Sequence, residues 1–185
     1  KNGDENWPSW NDTPLQIYQG GVNAEPLSGA TPTGYYLKKY CQAAIDLRAS
    51  TSSADYHTWI TFRLGEFYLN YAEAIYRYLG AAGATDNEFR MSACAAINKV
   101  RQRSDVQMPD FPDNISNTEF WERYKKERMV ELAFEQHRFW DVRRWKEGGF
   151  INIGRMEITK NADGSFRYNR INKPLVWDDK MYFFP

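Results

Sequence analysis

The chain has 185 residues, 42% of them hydrophobic and 26% charged, with 24 Lys and Arg balanced by 24 Asp and Glu. This composition describes a folded globular chain with apolar mass for a core, and the absence of a basic surplus disfavours nucleic acid as a partner. Cys41 and Cys94 fit no paired-cysteine motif, no run of about 18 apolar residues is present, and Lys1 opens neither a signal peptide nor a lipidation motif.

Residues 1 to 34 are rich in Pro and Gly and show neither a helical nor an alternating period, which predicts irregular loop. Trp7, Trp10 and Tyr18 stand there among Asn, Asp and Gln, the mixture needed to stack on a sugar ring and hydrogen-bond its hydroxyls. These three are the candidate ligand-binding residues; their other role, and the commoner one for such rings, is to anchor the segment on a helical body. Residues 35 to 40 alternate Tyr36, Lys38 and Tyr40 and are predicted extended, and 49 to 55 is a polar loop.

A helix is predicted over 63 to 79 with Gly80 as its C-cap. Leu64, Tyr68, Tyr71, Ile75 and Tyr78 form its expected core face. A second stripe, Arg63, Glu66, Asn70, Glu73 and Arg77, runs beside it with two acids between two arginines. A further helix is expected from Asp86, as N-cap, to Ser104, with Phe89, Ala93, Ala96, Ile97 and Val100 inward and with Asn98 and Arg101 on a shared edge. Pro109 and Pro112 mark a loop before a cap at Ser116 or Asn117.

Residues 120 to 148 are the most densely patterned stretch. Arg128, Glu131, Glu135, Arg138 and Asp141 recur at steps of three and four, so a single continuous helix would carry them as one stripe, with a bend past His137, before Arg138 to Lys146, as the alternative. Met129, Val130, Leu132, Ala133 and Phe134 occupy much of the remaining surface, which predicts packing on more than one side. The stripe resembles the one at 63 to 77 in design. With Arg101 between them in sequence, the two predict an ion-pair network that clamps helices together. Past Gly148 and Gly149, the Asn161–Gly164 run predicts a β-hairpin turn within 150 to 185.

Catalysis lacks support. Glu131 with Glu135, and Glu66 with Glu73, are possible carboxylate pairs, but each acid has an arginine one turn away that favours the ionised form and opposes general-acid chemistry. His57 and His137 lack any zinc-ligand spacing, and no phosphate-binding or nucleophile motif occurs. No metal and no cofactor are expected. The class expected is mainly α, with TPR-like helix hairpins, long irregular loops and a small β-hairpin. Residues 1 to 56 would form a loop-rich segment, 57 to 149 the helical core and 150 to 185 a truncated tail.

RLGEFYLNYAEA (63 to 74), AAINKVRQRSDV (95 to 106), ERMVELAFEQHRFWDVRRWKEG (127 to 148) and MYFFP (181 to 185), preceded by TPTGYYLKKY (31 to 40), together resemble the C-terminal half of SusD/RagB proteins. Gln136 and His137 depart from the Glu-Gly pair common there. The resemblance implies a surface lipoprotein of the Bacteroidetes outer membrane, built as part of a TPR-like α-α superhelix. It would not be an enzyme. It would bind a polysaccharide or oligosaccharide and pass it to a SusC-like TonB-dependent transporter, while touching the membrane only through a lipid anchor absent from this chain. The alternatives are a peptide-binding member of the same family and a TPR-like protein-interaction module.

Overall fold

A computed structural model describes residues 6–7, 13–24, 31–42, 59–174 and 176–183. The chain divides into two compact units, one of residues 59–144 and one joining 1–58 to 145–185. The architecture is mainly α, with TPR-like helix hairpins and an antiparallel ribbon.

The helical unit holds α1 (Leu64–Leu79), α2 (Ala93–Arg101), α3 (Asn117–Glu131) and α4 (His137–Arg144). α1 ends where expected: Gly80 takes φ +77° and its N–H donates to the Tyr76 carbonyl, closing the last turn. The buried face differs from the expected one. Leu69, Ala72 and Ile75 are buried together with Glu66, whereas Leu64 and Tyr78 are 67% and 69% exposed. Tyr68 and Tyr71 lie half-buried at the margin. The helix is therefore rotated toward its charged stripe, because that stripe finds partners across the unit while Leu64 and Tyr78 do not lie against the core.

α2 is shorter than predicted. Asp86 does not cap it; its Oδ1 instead accepts from the N–H groups of Glu88 and Phe89 and so closes a turn, the local alternative that Asp offers a chain about to become helical. The helix begins after Ser92, whose Oγ accepts from Ala95 N at 3.0 Å. Its buried face is Ala93, Cys94, Ala96, Ile97 and Val100, packed against α1.

Ser116 caps α3 through Glu119 N. The seam that α3 buries runs Phe120, Tyr124, Arg128, one residue per turn. Phe111, Phe120, Tyr76 and Trp121 pack around it, Tyr76 and Phe120 with ring centroids 4.7 Å apart and Phe111 edge-on to Phe120 at 6.1 Å.

The stretch over 120 to 148 is not one continuous helix, and its break falls before His137, not past it. α3 stops at Glu131, and Phe134 and Gln136 both take positive φ, 63° and 68°, before α4 starts at His137. Two non-glycine residues in the left-handed region cost roughly 1–2 kcal/mol each. The bend is held because it carries Glu135 and Asp141 to arginines that a straight helix would not offer them. It also leaves Met129, Val130 and Phe134 exposed, against the expectation of packing on several sides.

In the second unit, β1 (Asn6–Trp7) pairs with β2 (Thr13–Pro14) over two residues. β3 (Asn152–Lys160) and β4 (Phe166–Pro174) form the expected hairpin about the 161–165 turn, with Met156 opposite Arg170 and Lys160 opposite Phe166. Residues 35 to 40 form no strand; Tyr40 turns at φ 65°. Short 3-10 turns at Gly148–Phe150 and Asp179–Tyr182 meet through Gly148 N, which donates to the Tyr182 hydroxyl at 2.9 Å. The 49 to 55 loop lies outside the described residues.

Candidate functional site

Tyr18 is the one sequence-derived ligand candidate whose side chain is described. Trp10 lies outside the described residues, and of Trp7 only the backbone, in β1, is described. The Tyr18 ring is half-buried, 5.6 Å from the Phe166 ring and beneath the Lys160 ammonium at 5.4 Å, and its hydroxyl donates to Gln16 Oε1 at 3.1 Å. It is thus seated on the ribbon by stacking, a cation over its face and a hydrogen bond, which fixes the ring in orientation.

Two backbone hydrogen bonds hold the loops to β3. Gln19 N donates to the Ile158 carbonyl at 2.8 Å, and Met156 N donates to the Thr33 carbonyl at 2.8 Å, so two loop segments close on the free edge of β3. Between them lies a cleft of ≈ 170 Å³, lined by Ile17, Gln19, Thr31, Pro32, Arg155 and Glu157 among others. Arg155 Nη2 and Glu157 Oε1 pair at 2.6 Å on one face of β3, giving the cleft donor and acceptor groups beside apolar walls. A cleft of this size and mixture accommodates a small polar group.

The charged residues of the helical unit build a different kind of arrangement. Arg63 donates from Nε and Nη2 to both oxygens of Glu135, from Nη1 to Glu131 Oε1, and from Nη2 to the Glu131 carbonyl. Burial opposes charge on Arg63, but its hydrogen bonds to Glu135 and Glu131 outweigh it and raise its pKa. Burial likewise would raise the Glu131 pKa, yet bonds from Arg63 and Arg103 hold it below the usual carboxylate value. Arg128 joins Asp141 and Asn70. Arg144 donates to Asp141 and, by two nitrogens, to both oxygens of Glu73. Tyr124 donates to Glu73 as well, and burial, then Glu73, pushes its pKa up. Glu66 faces His137 at 3.6 Å and takes a hydrogen bond from Asn70.

Three residues sit otherwise than the two-stripe pattern predicts. Arg77 lies over the Trp121 ring at 4.2 Å, a cation–π contact in place of an ion pair. Arg101 pairs with Glu127 and donates to the Pro109 carbonyl, so its acid belongs to neither stripe. Arg138 is half-buried on α4. Arg103, Glu127 and Arg144 were missed, although Arg144 stands three residues past Asp141 and Glu127 one turn before Glu131, spacings that would have extended the stripe at both ends. The acids lie against basic side chains, an arrangement that suits clamping. Among the described residues no His, Cys, Asp or Glu cluster could hold a metal ion, and no helix is long and apolar enough to cross a membrane.

A sequence model of the SusD family matches residues 3–182. Among solved structures, a SusD-like protein from Bacteroides fragilis superposes with a TM-score of 0.72 at 27% sequence identity, covering 98% of this chain. The chain spans 33% of that protein. None of the curated proteins compared matches this chain.

Proposed function

The chain belongs to the SusD family, and on that premise we propose that it is part of a non-catalytic surface protein that binds a polysaccharide or oligosaccharide and hands it to a SusC-like TonB-dependent transporter. The observation that carries the reading is the family match across nearly the whole chain. The hold of Arg63 and Arg103 on Glu131, which keeps that carboxyl below the usual carboxylate range, supports binding without turnover. The seated Tyr18 ring supports a stacking surface for a sugar in the loop-and-ribbon unit. In this reading the whole protein sits on the cell outer membrane as a lipoprotein, and the helical ion pairs act as scaffold.

Calorimetry of the whole protein with a panel of oligosaccharides, alongside product analysis of the same mixtures, tests the proposal. Binding with no cleavage is expected, weakened by Tyr18→Ala, Trp7→Ala or Trp10→Ala. Cleavage products would overturn it. Unchanged affinity in all three variants would remove these rings from the site.

A further inference from the structure

The chain as a whole is electrically balanced, 24 charges against 24, but its ribbon is not. Between 152 and 174 stand Arg155, Lys160, Arg167, Arg170 and Lys173, against Glu157 and Asp163 alone. Both acids are already engaged within the hairpin. Glu157 takes Arg155 at 2.6 Å, and Asp163 accepts from the Ser165 N–H and hydroxyl at 2.9 and 2.6 Å. Lys160, Arg167 and Arg170 have no carboxylate partner among the described residues, so the ribbon presents cations without their counter-charges.

The strand period sorts these cations. Phe166, Tyr168, Arg170 and Asn172 alternate onto one face of β4, and Lys160 is the register partner of Phe166 on the same face. Tyr18 covers the Phe166 end. Beyond it Tyr168 is 55% exposed, and Arg170 and Asn172 are exposed too. The Arg170 side chain lies across Gly154: a Cβ there would stand 2.6 Å from Arg170 Nε. A glycine on β3 therefore lets the guanidinium rest flat against the ribbon beside an open tyrosine ring. One aromatic face, two cations without a carboxylate partner among the described residues and an amide in a row match a sugar ring bearing an anion: the ring stacks, the hydroxyls meet Asn172, and the anion meets Arg170 or Lys160.

We propose that this face of the ribbon binds an acidic oligosaccharide, one whose rings carry carboxylates or sulfates. The inference rests on the glycan-binding reading above and narrows it. Two matched ligand pairs separate the two: homogalacturonan oligomers against their methyl esters, and dextran sulfate oligomers against dextran, each pair sharing a sugar backbone and differing in whether it carries the anion. With the whole protein in calorimetry, the acidic member of at least one pair should bind about tenfold tighter than its neutral counterpart, and Lys160→Gln with Arg170→Gln should erase that margin. Which pair responds tells carboxylate from sulfate. Tyr168→Ala should weaken binding with the circular dichroism spectrum unchanged, since the ring is exposed. Equal affinity for both members of each pair would overturn the acidic class and leave glycan binding standing. Acidic binding that the double variant leaves intact would overturn the location. No binding of any of the four would defeat the acidic inference. If the wider oligosaccharide panel is blank too, the glycan reading falls with it.

Discussion

Across the bend between α3 and α4, Arg128 Nε donates to Asp141 Oδ2 at 2.8 Å, with side-chain exposures of 6% and 3%. Asn70 on α1 takes a second Arg128 nitrogen at 2.7 Å, and Arg144 holds the other Asp141 oxygen at 2.8 Å. The pair thus ties three helices at a point water does not reach. Breaking such a pair by removing one partner strands a buried charge, a cost of about 3–5 kcal/mol. Arg128→Met should therefore lower the urea midpoint sharply. Arg128→Met with Asp141→Leu should recover part of the loss, and a double variant no better than the single would assign the cost to packing around the arginine stem.

Glu131 contributes to the dependence of stability on acid. Its folded pKa lies below the unfolded value because Arg63 and Arg103 outweigh the effect of burial. The unfolded chain then takes up a proton that the folded chain refuses, so the stabilisation is fully present above about pH 4.3 and fades as pH falls through the lower folded pKa. Unfolding free energies measured stepwise from pH 7 to pH 3 should decline less steeply in Glu131→Gln than in the parent. Parallel slopes would assign the acid limb to other carboxylates.

Asn98 acts as a backbone substitute. Its Nδ2 donates to the Phe111 carbonyl at 3.0 Å and its Oδ1 accepts from Phe111 N at 2.8 Å, pinning the proline loop to α2 with Phe111 buried. Asn98→Ala leaves both backbone groups without these partners and should cost about 1–3 kcal/mol. Asn98→Asp keeps the acceptor alone and should fall between. Equal stability of all three proteins in denaturant would show that water replaces the amide at no cost.

Gly34 sits at φ +73°, and a Cβ on it would come within 2.1 Å of the Met156 carbonyl oxygen. Gly34→Ala should push the loop away from β3 and cost about 1–3 kcal/mol. The bond from Met156 N to Thr33 O should open with it. Amide exchange at Met156 is the sensitive readout: faster exchange in the variant is expected, and an unchanged rate would show that the loop absorbs the methyl elsewhere.

Elements whose signal is local were legible from residues alone. Gly80 ends α1 and Ser116 starts α3 because each satisfies a backbone group within four residues of itself, and the 161–165 turn sets the hairpin register by the same short-range logic. Tyr18 stood out as an aromatic among polar residues, and its seat on Phe166 needed the hairpin to exist first. What residues alone could not rank were competing faces. On α1 two stripes lie side by side, and the polar one is drawn inward by Arg144 on Glu73, His137 beside Glu66, and Glu131 on Arg63, at sequence separations that no helical period encodes.

The bend at 132 to 136 carries no glycine or proline, so its place is not marked locally. Its cause is two ion pairs, Arg63 with Glu135 and Arg128 with Asp141. By itself, then, the sequence determined α1 with its Gly80 cap, the Ser116 cap of α3, the hairpin turn and the family to which the chain belongs, since these rest on short-range hydrogen bonds and ordered motifs. The tertiary structure alone decided which stripe of α1 faces inward, where the longest helix breaks, and which face of β4 gathers Tyr168, Arg170 and Asn172. Each of these depends on partners supplied by residues distant along the chain.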